Sequence, residues 1–145
     1  RFIRRLADDQ KLQVLAFTDG DPYGYCNIYR TLKVGSGQSA HINRYFCVPQ
    51  AHYLGVTPWD IKEFKLEDAT HPLEEADIKR ANDALKNDPF IKHHKEWQQA
   101  LQDMIKMGQR LPDAGHLALI ERFGGHQHLG LADREPGANG FRPEG

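Results

Sequence analysis

No apolar run in the 145 residues approaches the ~20 needed to cross a membrane, and no signal-peptide pattern is visible. The expectation is a protein without a membrane partner, in the cytoplasm or on the nucleoid of a prokaryote, or in a eukaryotic nucleus. Cysteine is scarce. Cys26 and Cys47 lack metal-type spacing and cannot build a disulfide framework, so both read as buried thiols in a reducing compartment. Net charge is almost absent, with 19 Lys and Arg against 20 Asp and Glu, and gives no general case for nucleic-acid binding. One local absence says more. Residues 22–59 contain no Asp or Glu, while Arg30, Lys33, His41, Arg44 and His52 all fall there. A phosphate-binding face needs a local basic patch rather than a basic chain. The first residue is Arg1 rather than Met, which is expected of a fragment or a processed piece.

What is present suits one domain. The length allows a sizeable core, and 39% hydrophobic with 27% charged residues is ordinary for a globular protein. The chain is organised around residues 12–24, LQVLAFTDGDPYG. Its apolar first half predicts a short strand buried on both faces. Asp19 and Asp21 follow, one glycine apart, and Asp21-Pro22 has the chemistry of a helix N-cap and first turn. Tyr25 or Tyr29 with Ile28 and Leu32 gives a helix over 23–34, stopped at Gly35. Two acids at the carboxyl end of a strand lie where open α/β sheets bind ligands.

Two carboxylates this close raise each other's cost of ionising unless a cation sits between them. Mg²⁺ takes one or two carboxylates, keeps several waters and completes its shell with phosphates. An acidic surface turn whose Asp21 merely caps a helix would show the same residues. A calcium loop of the EF-hand type fails, because Tyr23 and Arg30 occupy the fifth and twelfth positions. A phosphatase of the haloacid-dehalogenase type would use the first Asp as nucleophile. Pro22-Tyr23-Gly24 breaks its pattern, which leaves it as an alternative only.

Elsewhere an amphipathic helix is expected over 1–10, with Phe2, Ile3 and Leu6 on one side. Strands are expected over 38–42 and 45–48, and 53–56 is another apolar piece. Thr57-Pro58-Trp59-Asp60 has helix-start chemistry. Helices are expected over 73–87, with Ile78, Ala81 and Leu85 inward, and over 94–107, with Trp97 and Leu101 inward and Gly108 as the stop. A last helix is expected over 112–123. Residues 124–145, rich in Gly and Pro, read as a flexible tail whose His126 and His128 are weak metal ligands. All five tyrosines fall within 22–59, and Tyr25 and Tyr29 read as packing residues rather than nucleophiles.

The string Thr-Asp-Gly-Asp-Pro-Tyr-Gly at 18–24 resembles the Toprim signature of the topoisomerase VI A-subunit family, with its meiotic double-strand-break relatives. Lys33-Val34-Gly35-Ser36, Val48-Pro49 and the run 52–61 are similar in order and spacing. So is 85–108, with Pro89-Phe90 and Glu96-Trp97-Gln98. The resemblance covers residues 1–110. It implies an α/β Toprim fold, Rossmann-like, with a mostly parallel central sheet flanked by helices, over 1–123. It implies Mg²⁺ held by Asp19 and Asp21 with a glutamate from an earlier strand, and a tyrosine nucleophile on an upstream winged-helix domain. Neither of those two residues is in this chain, so no catalytic residue is assigned to it. The family's helix at the position of 1–10 lies close to where DNA would run. Arg4 and Arg5 of that helix, with Arg30, Lys33 and Arg44 of the acid-free segment, are the DNA-contact candidates. The partners implied are double-stranded DNA, an identical protomer in a homodimer, and an ATP-binding B subunit that drives strand passage. The chain alone is expected to bind Mg²⁺ and contact DNA without cleaving it. The rival from another class is a non-catalytic DNA- or partner-binding module that has kept the fold.

Overall fold

The structure is a computed structural model and describes residues 1–112. The expected 112–123 helix (Pro112 apart), the boundary at 123, the 124–145 tail and its two histidines lie outside the described residues. The apolar stretch before the two acids forms strand β1, Leu15–Ala16, parallel to β2, His52–Tyr53. His52 N–H donates to Val14 O at 3.0 Å, and Leu54 N–H to Ala16 O at 2.9 Å. The expectation of burial on both faces is corrected. Ala16 and Thr18 point into the core, whereas Leu15 is 42% and Phe17 49% exposed. Alternate residues of a strand face opposite sides, and among the described residues the core clusters gather on the side of Val14 and Ala16.

After the acids the chain enters a π-helical segment, Gly24–Tyr29, which continues as α2, Arg30–Val34, and stops at Gly35 with φ of 84°. The wide turn carries Tyr25 and Tyr29 to the inner side together. They meet Tyr53 and Trp97 with ring centroids 5.0–5.3 Å apart, mostly edge-on. Each such pair adds about 0.5–1.5 kcal/mol beyond burial. Packing, not nucleophilic chemistry, is what these two tyrosines do here.

The strands expected at 38–42 and 45–48 are absent. A 3₁₀ turn, Gly37–Ser39, leads into helix α3, Ala40–Phe46. Ser36 starts it, its hydroxyl accepting Gln38 N–H, and Asn43 Nδ2 donates back to Ser36 O at 2.8 Å. Ile42, Tyr45 and Phe46 stand at helical spacing on an exposed stripe, a period masked by their strand-forming side chains. α3 packs beside α1, Phe2–Asp8, which buries Ala7 and leaves Phe2 and Ile3 exposed.

Thr57 caps α4, Pro58–Glu63, in a capping box with Asp60, as its residues predict. Helix α5 runs Glu75–Asn87, α6 Pro89–His93 and α7 Lys95–Met107, the last ended by Gly108 with φ of 65°. α7 buries Trp97, Ala100, Leu101 and Met104. The inward stripe of α5 differs from expectation. Asp77, Ala81 and Ala84 are buried, while Ile78 is 37% exposed. Asp77 is drawn inside because it accepts Glu74 N–H at 3.2 Å and faces two arginines, which turns the helix past Ile78. Strands β3, His71–Pro72, and β4, Gln109–Arg110, form a small antiparallel pair. The architecture is thus mixed helix and strand, with a short parallel sheet flanked by helices. Among the described residues no helix is long and apolar enough to cross a membrane.

Candidate metal centre

Asp19 and Asp21 leave the carboxyl end of β1 on a turn pinned from three sides. Gly20 N–H donates to Leu111 O at 2.9 Å, and Leu111 N–H returns to Gly20 O at 3.1 Å. A Cβ on Gly20 would stand 3.1 Å from Val56 O and 3.3 Å from Leu111 Cβ. Gly24 is tighter still, since a Cβ there would meet Asp19 O at 2.3 Å. The glycines of the motif are therefore there for close backbone approach.

Asp21 is buried and holds the turn. Its Oδ1 accepts Gly24 N–H at 2.6 Å and its backbone oxygen accepts Tyr25 N–H at 3.1 Å, so it caps the helix as expected. Its Oδ2 lies 3.9 Å from Arg110 Nη1. Asp19 is half-buried. On Asp21 the Gly24 hydrogen bond occupies one oxygen and the ion pair lies at the other. Among the described residues no group of three or more His, Cys, Asp or Glu gathers around a metal position. A pair of carboxylates fits a hard ion that keeps most of its water shell, as Mg²⁺ does, and does not fit a four-ligand zinc site.

Arg110 is the residue that sequence reasoning missed. It lies on β4, 89 positions from Asp21 in the numbering, and it also contacts Glu74 Oε1 at 2.6 Å and Asp77 Oδ2 at 3.5 Å. Only the pairing of Leu111 with Gly20 of the turn, next to the β3–β4 pair, reveals it, and no local motif marks that pairing.

The five DNA-contact candidates separate into two groups. Arg4 pairs with Asp8 and donates from Nη1 to Cys47 O at 2.7 Å, tying α1 to the end of α3. Arg30 donates to Gly35 O and pairs with Asp88 Oδ2 at 3.0 Å. Lys33 donates to Ala51 O at 2.9 Å over the Tyr29 ring, and burial pulls its ammonium below its ordinary range. These three hold the fold. Arg5 and Arg44 are exposed, the first beside Asp9 at 3.5 Å and the second stacked 4.6 Å from the Tyr45 ring centroid. Burial keeps the phenols of Tyr25 and Tyr53 protonated far beyond the ordinary range and pushes Tyr29 up to about 12. It also pushes the half-buried Cys26 thiol up to about 12, while Cys47 is buried.

Compared with known proteins, residues 1–114 match the family model described as the Toprim domain of the topoisomerase 6 A subunit and Spo11. The A subunit of type 2 DNA topoisomerase 6 from Methanocaldococcus jannaschii is 56% identical over 110 residues, 76% of this chain and 29% of that protein. Proteins of the same name are 36% identical over 110 residues in Natronomonas pharaonis and 38% over 121 residues in Pyrococcus abyssi. Those alignments cover 76% and 77% of this chain and 28% and 31% of the relatives. The chain thus spans under a third of the length of the curated relatives it matches.

Proposed function

The chain belongs to the Toprim family of the topoisomerase 6 A subunit and Spo11, and from that membership we propose that it is the Mg²⁺-binding, DNA-contacting part of the DNA-cleaving A subunit of an ATP-dependent type IIB topoisomerase. Asp19 and Asp21 hold the ion, with a glutamate from a preceding strand. Bound there, Mg²⁺ steadies the negative charge that develops on a phosphodiester as a tyrosine attacks it and as the strand is rejoined. The chain's own residues orient and exclude. Gly24 N–H fixes the rotamer of Asp21, and Val56 and Leu111 close the back of the turn. Tyr25, Tyr29 and Tyr53 are locked in the aromatic core, so none of these three is the nucleophile, which on the family reading lies on an upstream winged-helix domain. The partners on this reading are double-stranded DNA, the ATP-binding B subunit and an identical protomer. The chain alone binds without cleaving.

The observation that carries this is the position of two acids at the end of a parallel strand, on a turn whose backbone is fixed from three sides. An NMR titration with Mg²⁺ tests it. The Asp19, Gly20 and Asp21 amides are expected to shift, and Asp19→Asn to abolish the shift. A second reading, the non-catalytic module with this fold, is favoured by the satisfaction of Asp21 by Gly24 and Arg110 without any ion. Amides that stay still while DNA binding persists would support it.

A further inference from the structure

Arg110 places a permanent positive charge against the same oxygen that a divalent ion would use. We propose that Arg110 is a resident counter-cation that sets how tightly the turn of Asp19 and Asp21 takes a divalent ion; the proposal rests on the metal reading of that turn. The guanidinium is anchored on the N-terminus of α5, where its closest contact is Glu74 at 2.6 Å, followed by Asp77 at 3.5 Å, and its longest is Asp21 at 3.9 Å. Asp77 is shared with Arg80 at 3.5 Å. Three carboxylates, those of Asp21, Glu74 and Asp77, thus face two guanidinium groups. The Nε of Arg110 is buried with no hydrogen-bond partner among the described residues. Arg110 Nη2 donates to Glu74 Oε1 at 2.6 Å, whereas the hold on Asp21 is by charge alone.

The order of the contacts fixes the direction of the effect. An ion arriving at Asp21 competes with Arg110 for Oδ2, while Glu74 and Asp77 pull the guanidinium the other way. A unit charge about 4 Å from the ligand oxygen changes its hold on an incoming cation by about fivefold, even at the dielectric of water. Asp21 does not depend on Arg110 for its position, because Gly24 N–H holds the other oxygen.

The test is a Mg²⁺ titration of the 145-residue chain, followed at the Asp19 and Asp21 amides, for the native protein, Arg110→Gln, Arg110→Lys and Glu74→Gln. Circular dichroism checks the fold of each before metal is added. Arg110→Gln is expected to bind about fivefold more tightly, and Arg110→Lys to stay near native. Glu74→Gln, on an exposed side chain, is expected to bind several-fold more weakly, because Arg110 then leans harder on Asp21. An Arg110→Gln affinity equal to or below native overturns the inference, and so does an unchanged Glu74→Gln if the first variant does not fold. If the native chain responds normally and all the variants match it, only this inference falls. If neither the native chain nor Arg110→Gln responds, the metal reading falls with it.

Discussion

Gly24→Ala measures how much of the signature is there for backbone packing. In an ordinary exposed helix this substitution stabilises by about 1 kcal/mol. Here the added Cβ would lie 2.3 Å from Asp19 O, 2.8 Å from Thr18 Oγ1 and 3.2 Å from the Asp19 carbonyl carbon. Ordinary contacts of this kind need about 3.5 Å, so the backbone must give by roughly 1 Å. It cannot give freely, because the Gly24 N–H is the donor to Asp21 Oδ1 at 2.6 Å. Overpacking costs about 1–3 kcal/mol, and disturbing the cap adds ~1 kcal/mol.

The expected net loss is about 2–4 kcal/mol. In a chain of this size each kcal/mol moves Tm by roughly 3–4 °C, so a thermal melt should fall by about 6–16 °C. Gly37→Ala is the control, since a Cβ there meets nothing within 4 Å, and its melt should stay within about 2 °C of native. A Gly24→Ala protein that melts at or above the native temperature would refute the close-approach account of the turn.

Two further outcomes follow from the buried polar groups. Tyr25, Tyr29 and Tyr53 have folded-state pKa values raised above the ordinary 10.0; stability is therefore complete below pH 10 and is lost as pH rises toward 12, at up to about 1.4 kcal/mol per unit for each tyrosine. Phenolate absorbance from these three should appear together with unfolding in an alkaline titration, and early ionisation without unfolding would contradict the packing. Among the cations, Arg30→Ala should lower Tm by several degrees, since it strips the half-buried Asp88 and the Gly35 carbonyl of a partner. Arg5→Ala and Arg44→Ala should leave Tm alone and each reduce the salt slope of DNA affinity by about 1, and the reverse pattern would place the DNA face on the other three.

Much of the local structure around the turn was legible because its signals are local. The cap at Asp21, the box at Thr57 and Asp60, and the stop at Gly108 each depend on a few consecutive residues, and each forms. The strands expected at 38–42 and 45–48 failed for the opposite reason. Ile42, Tyr45 and Phe46 carry strand propensity, but the Ser36 cap and the Asn43 back-bond start a helix there, and propensity is a weak prior against such closure. Ile78 was misplaced because apolar periodicity assumes that acids face water. Asp77 has two arginines inside, a long-range fact that periodicity does not carry. Arg110 was invisible for the same cause.

The acidic motif is therefore not a self-contained loop. Its backbone is fixed by Val56 on one side and Leu111 on the other, and a guanidinium anchored on α5 stands near Asp21. Two carboxylates alone would repel, and the turn would open in the absence of an ion. With Gly24 N–H on one oxygen and a guanidinium near the other, Asp21 is held in place by the chain's own groups. On the metal reading proposed above, an ion arriving at this turn would have to compete with a charge that is already there.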